Sequence, residues 1–198
     1  MAIASYADLY VFMVSVLRGC PQSEALQALR LWGARFFEES EAWEVDLEDI
    51  DLVADQAAYD LDALLAYDAL IKRIKKVDIN DAPEDESHFD LADDTDLVFG
   101  EDWIPTEADA DAMDVTVVLV PKPEVNEIDP LMLDRWGRRG VVAGALGELL
   151  DQDDRAWYAP RTAARYQLQY RRAVAAAKAN KEMANKGGDA RVVPRQFV

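Results

Sequence analysis

The hydrophobic period of this chain changes twice, and that limits the folds open to it. From Ser23 to Glu39, SEALQALRLWGARFFEE sets Leu26, Leu29, Gly33, Phe36 and Phe37 on one stripe at helical spacing. Cys20-Pro21 opens this helix, since proline suits a first turn. After Trp43, AWEVDLEDIDLVADQAAYDL alternates apolar and acidic residues as half-buried strands do, with Ala54-Asp55-Gln56 as a turn. DVTVVLVPKP, Asp114 to Pro123, is the clearest strand: β-branched, apolar on both faces and stopped by two prolines. Helical spacing returns after Pro130.

Two stretches between these are less regular. LIKRIKKVDIN, Leu70 to Asn80, fits either a basic helix turn or a strand. Asp81 to Asp114 holds most of the aspartate, with Pro83, Gly100 and Pro105 as breakers, and reads as long loops with short strands. Near the other end, LMLDRWGRRGVVAGALGELL puts Trp136, Val142, Ala145, Leu146 and Leu149 on one side, with Gly140, Gly144 and Gly147 among them. Each glycine costs a helix interior about 1 kcal/mol against alanine, so three of them imply close approach of another backbone. A last helix opens at Pro160, carries Ala163, Tyr166, Tyr170, Val174 and Ala177 on a stripe, and ends at Gly187-Gly188. The expected fold is α+β: mainly an α-helical bundle built from residues 1–40 and 130–186, an acidic β-rich insertion at 41–129 projecting from it, and an extended arm at 187–198.

The charge follows the same division. Of a net -18, residues 1–37 contribute +1, residues 38–129 contribute -25, and residues 130–198 contribute +6. An acidic middle disfavours conventional DNA binding, which needs lysine and arginine to replace counterions. It can repel passing DNA or answer a basic partner. With Cys20 as the one cysteine, no intramolecular disulfide forms, which suits a reducing compartment; the residue is expected as a small buried hydrophobe beside a turn. The apolar run LYVFMVSVL, Leu9 to Leu17, is too short to cross a bilayer and reads as a helix packed on both sides.

No catalytic constellation stands out. Glu38, Glu39, Glu41 and Glu44 could supply a glycosidase carboxylate pair, but nothing distinguishes one pair among so many acids. His88 is the only histidine and is expected as an exposed, idle imidazole in a loop. DINDAPEDES and DLADDTD lack the sixth-position glycine and twelfth-position glutamate of an EF-hand loop. The expectation is therefore no enzyme, no metal and no cofactor. The alternatives are an acidic DNA mimic or regulatory binding protein, and a carboxylate-dependent cell-wall hydrolase.

GCPQSEALQALRLWGARFFEESEAWEVDL, QAAYDL and RWGRRGVVAGALGELLDQDDRAWYAP, followed by a basic helix and an Arg-Val-x-Pro-Arg-x-Phe ending, resemble the head-to-tail adaptor (neck or connector) proteins of tailed bacteriophages. The most specific pieces are Gly19-Cys20-Pro21, Gly144-Ala145-Leu146 with Leu149-Leu150, and the Trp157-x-x-Pro160 step. The resemblance covers nearly the whole chain, in order. It departs from the family before Pro160, where relatives often carry aspartate and this chain has Ala159, forfeiting about 1 kcal/mol of capping.

That resemblance implies a structural virion protein: a homo-oligomeric ring, commonly twelvefold, between the portal protein and a tail (nozzle or tube) protein. DNA would pass through it without specific binding. It would be assembled in the host cytoplasm, reside in the virion neck and involve no membrane. The portal-binding arm would be Arg191, Val192, Val193, Pro194, Arg195, Gln196, Phe197 and Val198, and the packed helix of the bundle would be centred on Gly140, Gly144, Ala145, Leu146 and Leu149.

Overall fold

Short apolar segments, each with its own start signal, build the helical side of the molecule. A computed structural model describes residues 5–126 and 128–186. Helix α1 (Tyr6–Val14) begins where the Ser5 amide and hydroxyl both donate to the Asp8 carboxylate at 3.1 Å. It buries Tyr6, Leu9 and Met13 but leaves Val11 63% and Val14 48% exposed. The expectation of a helix packed on both sides is corrected accordingly. Gly19, at φ +87°, turns the chain into α2 (Gln22–Ser40), whose buried stripe is Ala25, Leu29, Gly33, Phe36 and Phe37.

The middle of the chain is antiparallel sheet. Strands β1 (Glu44–Leu52), β2 (Ala58–Asp60), β3 (Ala69–Ile79), β4 (Ala82–Pro83), β5 (Phe89–Ala92), β6 (Asp96–Phe99) and β7 (Asp109–Pro121) form a four-stranded sheet of order β1-β7-β3-β4 and a three-stranded sheet of order β2-β6-β5. β7 is central and buries one face along its length: Met113, Val115, Val117 and Leu119 are all buried, with Val118 buried on the other face beside Asp114 and Thr116, which line a polar groove. It pairs Val45 with Val117 and Leu47 with Val115 on one side, and Ile71 with Leu119 and Val77 with Val115 on the other.

The ambiguous stretch, Leu70 to Asn80, is strand throughout as far as Ile79. Its irregular period has a physical origin: the register slips between Ile71 and Arg73 and again between Ile74 and Lys76. Each bulge adds a residue, so the inward apolar positions 71, 74 and 77 fall three apart and imitate a helix.

The chain then becomes helical through α3 (Pro130–Met132), a π-helical segment (Leu133–Val141) and α4 (Val142–Leu149), and ends in α5 (Pro160–Lys186). The Asp129 side chain caps α3 by accepting the Leu131 amide at 2.8 Å.

These elements overturn the expectation of a mainly α-helical bundle carrying a projecting insertion. The protein is α+β with two antiparallel sheets and is not clearly a helical bundle. The reason lies in the packing. One hydrophobic core runs without a break from Leu9 and Met13 in the helices through Leu47, Val77 and Val115 in the large sheet to Tyr59, Leu97 and Phe99 in the small one. Aromatic rings mark the joint. Tyr170 on α5 meets both Trp32 (centroids 4.8 Å apart) and Phe36 (6.1 Å), and from Phe36 the rings continue through Phe37, Trp43 and Tyr67 in steps of 5.3, 5.9 and 5.8 Å. Such ring pairs contribute about 0.5–1.5 kcal/mol each beyond area burial.

Burial pushes the phenols of Tyr6 and Tyr170 well above their ordinary range, opposed at Tyr6 by Arg30 and reinforced at Tyr170 by Glu39. Both stay neutral in the folded protein while the unfolded chain ionises near pH 10, so their stability contribution is complete below that pH and is lost as pH rises through the raised folded values. Tyr6→Phe should flatten the decline of chemical-denaturation stability between pH 9 and 11. An unchanged alkaline slope would show that Tyr6 does not carry this linkage.

Candidate functional site

The glycine-bearing helix is the hub of the helical layer. Every residue from Gly140 to Gly147 is buried, so α4 has neighbours all round: α1, α2 and α5 each pack on it. A Cβ on Gly140 would stand 2.7 Å from Phe36 Cδ2, and one on Gly144 would stand 2.7 Å from Trp32 Cδ2 and 3.0 Å from Tyr170. Gly147 faces Gln167, and Gly137, which the sequence did not single out, faces Leu9. Ala145, Leu146 and Leu149 fill the same core. The π segment was not legible. Its wider turn closes with the Val142 amide on the Gly137 carbonyl, and it buries Leu133, Trp136, Gly137, Gly140 and Val141.

The start of α2 and the step from the end of α4 into α5, both part of the adaptor resemblance, are linked at one end of this layer. Arg155 pairs with Glu24 in the first turn of α2 at 3.2 Å, and its guanidinium lies 5.5 Å from the centre of the buried Trp157 ring. The Ala159 amide donates to the Leu150 carbonyl at 2.8 Å, tying the step into α5 to the end of α4. Cys20 lies beside the same groups. Partial burial and then Glu24 raise its thiol above the ordinary value, with Arg155 opposing, so it favours the thiol form. It is half-buried rather than a core hydrophobe.

The glutamates that sequence offered as a catalytic pair are engaged by basic residues. Glu39 is held by Arg35 at 2.8 Å; Glu41 by Arg73 at 2.7 Å and Lys72 at 3.5 Å; and Glu44 by Lys75 at 2.7 Å. The basic stretch of β3 thus faces the acidic end of α2 and the start of β1. Glu38 is exposed, and its carbonyl accepts from Lys72 Nζ at 2.6 Å.

His88 is not the exposed, idle ring expected. Its side chain is 16% exposed, its ring stacks on Trp103 with centroids 3.4 Å apart, and Nδ1 lies 2.8 Å from Glu84 Oε2. The residues between Gly100 and Pro105 fold back onto it, which the sequence spacing did not reveal. Among the described residues no group of three or more His, Cys, Asp or Glu side chains is placed to hold a metal ion, and no helix is long and apolar enough to cross a membrane.

Part of the acidic composition serves the backbone. The non-glycine residues with left-handed φ are Glu41, Asp49, Asp55, Asn80, Asp81, Asp93, Asp94 and Asp111, nearly all aspartate or asparagine, which tolerate that region best. At the β1/β7 irregularities the carboxylates also replace lost ladder bonds. The Asp49 amide donates to Asp114 at 3.1 Å and the Asp111 amide to Asp51 at 3.0 Å. Other acids, among them Glu48, Asp90, Glu101 and Asp102, project into solvent.

α5 has the opposite sign: Arg161, Arg165 and Arg172 lie on its exposed face, one or more helical turns apart. The arm residues, Arg191 to Val198, lie outside the described residues. A groove of about 990 Å3 lies between α2, β3, the turn at Pro123 and Lys178 of α5. It was illegible in sequence because its walls come from four distant segments. No protein-family model matches the chain, and no curated protein matches it.

Proposed function

We propose that this protein is a head-to-tail adaptor of a tailed bacteriophage: a structural, non-enzymatic subunit that forms an oligomeric ring between portal and tail and gives DNA a channel. The observation that carries the reading is the linkage between segments that resemble that family. Residues 151–156 join Gly144–Leu150 to Trp157–Pro160, the Ala159 amide bonds back to the Leu150 carbonyl, and Arg155 pairs with Glu24 at the start of α2, just after Gly19-Cys20-Pro21. The separation of charge supports it as well, since an acidic sheet region and a basic last helix offer opposite surfaces to neighbours in a ring. In this reading residues 187–198 are the arm that reaches the portal.

Deleting residues 187–198 is expected to leave thermal melting nearly unchanged while abolishing attachment to portal-bearing heads, which leaves DNA-filled but tailless or leaking particles. Size-exclusion chromatography with purified portal rings tests the whole reading. The full chain should co-elute with portal as a ring, and failure to do so would sink the adaptor assignment. Normal occupancy by the truncated chain would instead move the anchor from the arm to the helical layer.

The acidic surface has a place in the same scheme. A wall of like charge lets a polyanion slide without sticking, whereas a positive lining binds it with steep salt dependence. The free protein is therefore expected to cause no gel shift of duplex DNA at moderate salt. Tight, salt-sensitive retention would count against the acids bordering the DNA route.

A further inference from the structure

The groove beside α2 has features of a docking site whose occupant belongs to the chain itself. Its wall carries an apolar strip of Leu31, Ala34 and Pro123, and Leu31 is 51% exposed. Along that strip stands Glu38, whose carboxylate has no ion-pair partner among the described residues, while the neighbouring Glu39 and Glu41 are already held by bases. Lys178 brings the later half of α5 to the rim.

The segment beyond α5 matches this surface in reach and chemistry. The helix continues from Lys178 to Lys186, about 12 Å at 1.5 Å per residue. After it the sequence reads GGDARVVPRQFV. The ten residues after the glycine pair can span about 33 Å when extended, more than twice the distance back to Lys178. Glycine pairs permit a reversal of direction, and proline favours extended backbone in the residue before it. Val192, Val193 and Phe197 supply apolar side chains for the strip, and Arg191 and Arg195 supply cations for Glu38.

We infer that residues 189–198 dock into the groove of their own chain, covering Leu31 and Glu38 until a partner takes the segment away. Attachment in the same chain favours this over capture by a second copy, because a short tether holds the segment at an effective concentration of about millimolar. The inference concerns the isolated protein and does not depend on the adaptor reading; the tests of the two use different materials.

The test uses the full chain with Cys20→Ser, Leu31→Cys and Phe197→Cys, oxidised at low protein concentration. The expected product is a cross-linked species of monomer mass whose yield drops when Glu38→Lys or Val192→Asp is added. In parallel, amide NMR signals of residues 31–41 and 178 should shift on deletion of 187–198 and return on addition of the synthetic peptide DARVVPRQFV. A cross-link of dimer mass would place the segment in a neighbour's groove and overturn the inference. So would amide signals in the groove that ignore both the deletion and the peptide.

Discussion

Gly144→Leu is expected to lower the melting temperature of this protein sharply, and Gly144→Ala should lower it as well. In an exposed helix the alanine change would stabilise by about 1 kcal/mol. Here the site is filled. The first added carbon would meet Trp32 at 2.7 Å and Tyr170 at 3.0 Å, distances that force something to move. The Trp32 ring has little freedom to yield, since its edge packs against Tyr170 and its Nε1 donates to Glu148. Overpacking of this kind costs about 1–3 kcal/mol, and the larger leucine belongs at or beyond the upper end. For a chain of this size each 1 kcal/mol moves the midpoint by about 2–4 °C. Gly100→Ala provides the control: its Cβ would sit 3.5 Å from Trp103, an ordinary contact, with backbone at φ -61°. Circular dichroism melts of the three variants check the ordering. An unchanged midpoint in Gly144→Leu would mean that the site is open and that close helix approach is not why the glycines are there.

The same glycines show what sequence could and could not reveal. Their density in an otherwise helical stretch signalled close packing, because a chain does not weaken a helix repeatedly without a spatial reason. Which partner each one meets depends on α2 and α5 folding back across α4, and no local pattern encodes that. β3 failed differently. Its two bulges convert a strand period into intervals of three, so the pattern that normally separates strand from helix was itself distorted. The aspartates were counted as surface charge, yet at Asp49, Asp55, Asp81, Asp93, Asp94 and Asp111 the residue type also suits a left-handed backbone, a role invisible until φ is known. The strand Asp114 to Pro121 was legible because uninterrupted β-branched residues have few other uses. What its burial meant was misjudged. One face, Val115, Val117 and Leu119, belongs to a core shared with the helices, while Asp114 and Thr116 on the other face line a polar groove.

Trp43 makes that last point measurable. It sits between the end of α2 and the start of β1, only 1% exposed, with its ring against Phe37 on the helix and Tyr67 before β3. Its carbonyl accepts the Leu119 amide at 2.8 Å, so the backbone at the joint is fixed to the central strand. Trp43→Ala removes the ring that bridges helical and sheet layers and should cost about 3–5 kcal/mol, as large aromatic truncations in a core do. Trp43→Phe keeps an aromatic contact with both neighbours and should lose appreciably less. The shape of the unfolding curve matters more than its midpoint. Because Leu9, Phe37, Trp43, Val115 and Leu97 belong to one continuous core, far-ultraviolet dichroism of the helices and the indole NMR signal of Trp103, which reports the sheet side through its stack on His88, should change in one coincident transition in the parent protein. In Trp43→Ala both probes should move down together if the coupling is distributed along the whole interface. Should the sheet-side signal melt first while the helical signal keeps its parental midpoint, Trp43 alone holds two separable units together, and the single-core description of this fold is wrong.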